Sequence, residues 1–459
     1  MPLWLNVIRT TRRQVFSARL HRQRPSTWSE VALGRSSGIR TNTTAAPEVT
    51  KVEQILLDHI KTTGAIPFAT YMQLCLSHPT HGYYMNPSNP VFGTRGDFIT
   101  SPEISQVFGE LVAIWLLSRW ASAGSPPEIR LVELGPGRGT LMDDILRVIS
   151  RFTPSKSSIS VHLVETSLTM RSLQEKKLES HREAKINVHW HNSISEIPLT
   201  ESKYTMLIAH EFFDALPIHL LQKNEDGWHE VLIASNPDFD PSKSTPASKH
   251  RLRAVLSPST SGTAAILSLS SSRFHSLPVG ATMEVSPSAF KIARQVGELL
   301  TGRQDGRPVR EEGNSSPGGC GLIIDYGADN VFGDSFRAFK EHKIVDIFHQ
   351  PGECDVTANV DFAYLREAMA DLVTTLGPIP QYDFLERMGL KLRVDALVRG
   401  AKTDERRTTI QDAAKRLVDR IGMGKEYKVF GITTGPTGKA EEAEQVWPFV
   451  EVKDEPTRE

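Results

Sequence analysis

The sequence predicts an α/β protein built on a doubly wound, Rossmann-like parallel sheet, and three observations carry that reading. From about residue 128, apolar runs of strand length alternate with segments of helical periodicity, the pattern of parallel strands joined by right-handed crossovers. The first run, IRLVEL, leads directly into GPGRG, a turn with glycine at every second position. Later runs end in acids, which places carboxylates at the edge of the sheet where ligands bind in such folds.

Taken in chain order, residues 1–46 differ from everything that follows. They hold eight arginines, no lysine and a single acid, Glu30, among many Ser and Thr. An arginine-rich, acid-poor start is the composition of a mitochondrial transit peptide, which points to the matrix; a disordered basic tail is the alternative. Removing eight positive charges and one negative takes the formal net charge from −1 to about −8. An acidic mature chain has no diffuse attraction for phosphate backbones, so nucleic acid is not an expected partner. No apolar run is long enough to span a bilayer. Cys75, Cys320 and Cys354 are widely spaced with no CxxC pair, which argues against a disulfide framework or a zinc site. His78 and His81, in a stretch rich in Pro and Gly, suggest a turn.

Residues 47–127 read as an N-terminal helical segment. Helical spacing links Val52, Leu56 and Ile60, then Phe68, Met72 and Leu76. SPEISQVFGELVAIWLLSRWA is expected to form one long helix with Ser101 as N-cap. Residues 128–434 carry the sheet: strands at IRLVEL, ISVHLVET, INVHWH, YTMLIAH and CGLIIDYG, with helices at TLMDDILRVISRF and near residues 168–181. HLLQKNEDGWHEVLI suggests a hairpin. Polar stretches near 236–250 and 301–319 read as exposed insertions, and 435–459 as a disordered tail.

Gly135, Gly137 and Gly139 do not fit the dinucleotide fingerprint G-x-G-x-x-G, because position 140 is Thr. Glu133 lies two residues before the first glycine, which suits a cationic or zwitterionic ligand better than a pyrophosphate. Glu165, ending the second strand, is placed to accept the hydroxyls of an adenosine ribose. Asn192 and Ser193 follow the third strand, where an adenine edge would lie; a plain turn is the alternative. The fourth strand runs into HEFFDALP, which clusters His210, Glu211 and Asp214 beside two phenylalanines. Two carboxylates there could grip a guanidinium, whose paired donors match them; alternatively Asp214 caps a turn and Glu211 pairs with an internal arginine. Asp97 and Thr100 stand just before the long helix, able to close over a ligand, and Asp325, Tyr326, Asp355 and Asp361 sit in DYG and DVTANVDF.

GDFITSPEISQVFGE, VELGPGRGTL, HEFFDALP, DYG and DVTANVDFAYL together resemble the MidA family of S-adenosylmethionine-dependent methyltransferases, over roughly residues 52–434. Bacterial members commonly carry Asn where this chain has His210, and many members Asp where it has Asn359. The resemblance implies a seven-stranded class I methyltransferase sheet with C-terminal helical additions. S-adenosylmethionine would be held by Glu133, Gly135, Gly137, Gly139, Glu165, Asn192 and Asp97. The mitochondrial branch implies symmetric dimethylation of an arginine in a matrix-arm subunit of respiratory complex I. Glu211 and Asp214, with His210 beside them, would then be the catalytic group. Two rival functions remain at this level: a nicotinamide-dependent oxidoreductase, and a non-catalytic complex I assembly chaperone with a relic cofactor site.

Overall fold

The computed structural model describes residues 29–30, 48–86, 99–183, 186–199, 202–240, 242, 249–304, 307–308, 316–435 and 446–450. Its main sheet runs through seven strands: β1 (Glu128–Leu134), β2 (Ser158–Val164), β3 (Asn187–His191), β4 (Tyr204–His210), β5 (Gly319–Ala328), β6 (Thr374–Pro380) and β7 (Tyr427–Thr433). They lie in the order β3-β2-β1-β4-β5-β7-β6, and a two-residue strand, Val360–Asp361, pairs beside β5. The strands from β3 to β5 are parallel, whereas β7 is antiparallel to β5 and β6 antiparallel to β7. The order reverses at β1 and β4, so the carboxyl ends of these two strands open the crevice where ligands bind in doubly wound sheets.

The strands are apolar on both faces because helices cover both faces. Ile129, Leu131, Met206, Ile208, Leu322 and Ile324 point one way, into a core with helices α3 (Gln106–Ser122) and α4 (Thr140–Phe152). Val132, Leu134, Leu207, Ala209 and Ile323 point the other way, against α6 (Pro287–Thr301) and α7 (Phe362–Met369). Helix α5 (Leu168–Lys177) joins β2 towards β3 and stops before the short helix Glu179–Glu183, where a single helix to about 181 was expected.

The long helix expected from Ser101 is broken. A short helix, Ser101–Ile104, starts at Ser101 itself, with Thr100 at the N-cap position and no side-chain capping bond, and α3 begins only at Gln106. Between them Ser105 is extended (φ −157°, ψ 133°), and its hydroxyl accepts the amide of Val107 at 3.3 Å. The serine side chain satisfies a first-turn amide that the backbone of a continuous helix would have used. The break turns Thr100, Pro102 and Glu103 towards the site.

A second, antiparallel sheet is the main architectural feature absent from the sequence reading. It takes the expected hairpin, His219–Asn224 with Gly227–Ser235, and adds Leu252–Leu256, Thr282–Val285 and the short pieces Ile66–Pro67 and Ser29–Glu30. Ser29–Glu30 is the only part of residues 1–46 among those described. Helices α1 (Lys51–Thr63) and α2 (Phe68–Ser77) pack on this sheet through Leu56, Phe68, Tyr71 and Met72, whereas α3 belongs to the main core. The expected N-terminal segment 47–127 is therefore shared between two cores.

Within the stretch expected to be a disordered tail, residues 446–450 are packed. Val446 is buried, Phe449 lies edge-on to Trp115 at 5.9 Å between ring centroids, and the Trp115 indole donates to the carbonyl of Trp447 at 3.0 Å. The unbroken apolar run VWPFV is too short to show a period, but its Phe449 ring packs on Gly377 of β6 and Gly431 of β7. Of the two insertions, 243–248 and 309–315 lie outside the described residues. Among the described residues no helix is long and apolar enough to cross a membrane, and no group of three or more His, Cys, Asp or Glu could hold a metal ion.

Candidate active site

The turn after β1 is built on backbone that only glycine takes freely: φ is +66° at Gly135, +50° at Gly137 and +81° at Gly139, the last serving as N-cap of α4. A methyl group on Gly135 would come within 2.9 Å of the Phe212 ring, so the HEFFDALP turn approaches too closely for any side chain there. Gln174, buried on α5, ties the region together by donating to the Gly137 carbonyl at 2.7 Å and to Glu165 at 3.3 Å while accepting from Trp190 at 2.9 Å. Glu165 also accepts the Ser167 amide at 2.8 Å, and burial raises its pKa. Asn192 is exposed at the rim, where Arg171 donates to its side-chain oxygen and Glu196 accepts its amide, each at 2.9 Å.

Gly135, Gly137, Glu165 and Asn192 line one cavity of about 540 Å³. Glu133, His210, Glu211 and Asp214 line it as well, so eight of the ten residues singled out from the sequence meet in one space. Of the other two, Gly139 caps α4 without lining the cavity, and Asp97 lies outside the described residues. Thr100 and Glu103 contribute from the neighbourhood of the broken helix, Glu103 accepting from Thr140 at 2.7 Å. Asp355 lines the cavity and accepts from Tyr84 at 2.9 Å. Asp361 does not: it caps α7 and pairs with Arg273 at 2.8 Å.

Charge inside the cavity is under-compensated. Glu133 Oε2, His210 Nε2 and Asp214 Oδ1 are each buried with no hydrogen-bond partner among the described residues. Buried polar atoms are nearly always paired, so three unpaired ones on residues lining one cavity stand out. Burial pushes the Glu133 and Glu211 carboxyls up to about 8. Asp214 is pushed up to about 6, with Arg337 acting the other way. Burial holds His210 down at about 3, which keeps its imidazole neutral. An orphaned buried acid beside a glycine turn with no room for a side chain fits a cofactor with a cationic end and a flat ring.

The local backbone shows what aims the acids. Glu211 sits at φ +50°, unusual for a residue with a side chain and a mark of backbone held by its surroundings. The holder is Asp325 at the end of β5, fully buried. One of its carboxylate oxygens accepts the amides of Phe212, Phe213 and Asp214 at 3.2, 2.9 and 3.3 Å. Among the described residues Glu211 has no arginine partner; the Tyr427 hydroxyl donates to its Oε1 at 2.6 Å. Arg337 lies over the Tyr326 ring and donates to Asn359 at 2.7 Å. Asp325, Tyr427 and Gln174 were not assigned roles from sequence: Asp325 and Tyr427 act through contacts more than a hundred residues away along the chain, and Gln174 through atoms on three separate elements.

The family model described as "Putative S-adenosyl-L-methionine-dependent methyltransferase" matches residues 111–379. Among curated proteins the chain is 38% identical over 401 residues to a protein named protein arginine methyltransferase NDUFAF7, mitochondrial, of Xenopus tropicalis, covering 82% of this chain and 85% of that one. It is 36% identical over 410 residues to the Homo sapiens protein of the same name, with 85% of each chain covered. Among solved structures, a COG1565 superfamily member from Burkholderia thailandensis bound to S-adenosyl-homocysteine superposes with a TM-score of 0.65 at 21% identity, over 85% of this chain and 93% of that one; this likeness bears on the fold. The nicotinamide-dependent alternative is thereby set aside. With a family match over more than half its length, relatives of this identity and a cavity lined by the residues those motifs contribute, the chain belongs to the MidA-like family of S-adenosylmethionine-dependent methyltransferases.

Proposed function

We propose that the protein is a protein arginine methyltransferase of the mitochondrial matrix, forming symmetric dimethylarginine on a matrix-arm subunit of complex I. The names of its relatives support the arginine and mitochondrial parts of this reading. The composition of residues 1–46 supports a transit peptide. The observation that carries the reading is the set of acids Glu211, Asp214 and Asp355 around one cavity, with the buried Asp214 Oδ1 unpartnered among the described residues.

S-adenosylmethionine supplies a methyl group on a sulfonium, electrophilic enough to be taken by a nitrogen. Gly135, Gly137 and Gly139 would cradle it, Glu165 and Asn192 would take its adenosine end, and Glu133 and Asp97 its charged methionine end. From the segment 47–127, Tyr84, Thr100 and Glu103 would stand against it. Glu211 and Asp214 grip the guanidinium through paired donors and turn one terminal nitrogen towards the methyl group. Most of the acceleration comes from this fixed orientation. As the N–C bond forms, the S–C bond to the methyl group would break and leave a neutral thioether; the two carboxylates stabilise the guanidinium charge, and Glu211 would take the proton it sheds and pass it to solvent. His210, neutral and buried beside Glu211, adds no competing cation.

The test is methyl transfer from radiolabelled S-adenosylmethionine to mitochondrial extract and to purified matrix-arm subunits, with mass spectrometry of the product. Symmetric dimethylarginine is expected. Glu211→Gln should abolish transfer while cofactor binding by calorimetry persists. Full activity in that variant removes Glu211 from the reaction. Binding without any transfer by the wild-type chain would favour an assembly role instead.

A further inference from the structure

Tyr427 touches the acid of the site without lining the cavity. It lies on β7 directly opposite Tyr326 on β5 in the antiparallel register, with ring centroids 4.2 Å apart and hydroxyl oxygens 2.7 Å apart. Its hydroxyl is also 2.6 Å from Glu211 Oε1. A phenol has one proton and a carboxylate oxygen can only accept. Tyr427 therefore donates to Glu211 when that acid is ionised, and accepts from Tyr326. The His210 ring lies parallel to that of Tyr427, 6.0 Å away between centroids, and closes the other side. Tyr427 is 2% exposed, so water does not compete for its hydroxyl. The left-handed backbone at Glu211 fixes where the side chain starts but not the rotation of its carboxylate.

We propose that Tyr427 is a positioning residue for methyl transfer: by occupying Glu211 Oε1 within a Tyr326–Tyr427–Glu211 chain, it leaves Glu211 Oε2 to face the reacting nitrogen. The inference rests on Glu211 being the substrate-binding acid of the proposed function. Without the phenol the carboxylate can rotate and share either oxygen, which weakens orientation more than binding. The hydrogen bond also favours the ionised acid, so its loss raises the pH at which Glu211 ionises. The other titratable or charged groups around Glu211 are His210 and Asp214 on its own segment, Asp325 and Tyr326 on β5, and Asp355 and Arg337 across the cavity.

The experiment compares Tyr427→Phe, Tyr326→Phe and the double variant of the full chain, using an arginine peptide and S-adenosylmethionine. For Tyr427→Phe, cofactor affinity by calorimetry stays within about twofold and KM within about threefold, while kcat falls roughly 10-fold, as for loss of a hydrogen bond to a charged group. The acid limb of its kcat/KM profile moves to higher pH. Tyr326→Phe loses less, about threefold, and the double variant is no worse than Tyr427→Phe alone, because Tyr326 acts through Tyr427. Wild-type kcat with an unmoved acid limb in Tyr427→Phe overturns the proposal, as does a double variant whose losses multiply. Should Tyr427→Phe fail to bind the cofactor, unchanged kcat in Tyr326→Phe overturns it. An active Glu211→Gln variant would sink the reading of the site and the positioning role together. An inactive Glu211→Gln beside a fully active Tyr427→Phe would sink the positioning role alone.

Discussion

Glu133, Glu211 and Asp214 are held away from water by the same packing that aims them, and this has two measurable consequences. The first concerns activity. Ordinary carboxylates are ionised by about pH 5.5, whereas burial moves the ionisation of Asp214 to about 6 and that of Glu211 to about 8. An arginine side chain stays charged throughout this range. The kcat/KM for an arginine substrate should therefore rise between pH 6 and 8, since that ratio reports the free enzyme. The kcat profile should rise at lower pH, because a bound guanidinium favours the ionised acids. The second concerns stability. The folded-state pKa of Glu133 is raised by burial, so the fold is favoured while the group is protonated and loses stability as pH climbs from about 4.5 towards about 8. Glu133→Gln should raise the melting temperature at pH 8, by on the order of 3 kcal/mol of stability, and the gain should vanish near pH 4. Its cofactor affinity should fall. A lower melting temperature at pH 8 in this variant, measured by scanning fluorimetry, would count against the argument.

Two turns and the strand end that braces them convert these residues into a site. The glycine turn after β1 and the HEFFDALP turn after β4 face each other across the point where strand order reverses, and Phe212 closes on Gly135. Gly135→Ala combines a left-handed backbone with a methyl group 2.9 Å from that ring. It should cost about 1–3 kcal/mol of stability and weaken S-adenosylmethionine binding at least 10-fold, readable by calorimetry. Asp325 braces the second turn from β5. Asp325→Ala leaves three amides, those of Phe212, Phe213 and Asp214, without their acceptor. It should lower both stability and kcat, since Glu211 loses the backbone that holds it at φ +50°. A variant that is destabilised yet fully active would show that the turn holds its shape without β5.

At the scale of the whole molecule, the sequence and the structure part company where contacts are long-range. The order of strands and helices from β1 to β5 was readable because each element carries its own apolar run and its own stop signal. The acids at the strand ends were readable because the doubly wound layout fixes which edge binds. The second sheet was not: Leu252–Leu256 and Thr282–Val285 are short, and nothing local says that they join a hairpin rather than the main sheet. Tyr427 was missed because its partner Tyr326 lies 101 residues away. The chain end was misjudged for the same reason. Residues 446–450 have no period of their own, yet Phe449 packs against Trp115 and Phe384, and Arg387 donates to the carbonyls of Pro448 and Val450 at 2.8 and 3.2 Å. The close fit of Gly431 on β7 against the Phe449 ring, where a methyl group would meet it at 2.8 Å, shows that the strand is shaped to receive this segment. β7 also carries Tyr427, so the chain end and the acid site share one strand. Truncation after residue 435 should therefore expose Trp115 and Phe384 and cost about 3–5 kcal/mol, in the range of losing one large buried aromatic. It should lower the melting temperature by several degrees and reduce kcat more than cofactor affinity, because the strand that carries Tyr427 loses its packing on one side. Phe449→Ala in the full-length chain should reproduce most of both effects, and a truncated chain with wild-type stability would show that residues 446–450 add nothing to the fold.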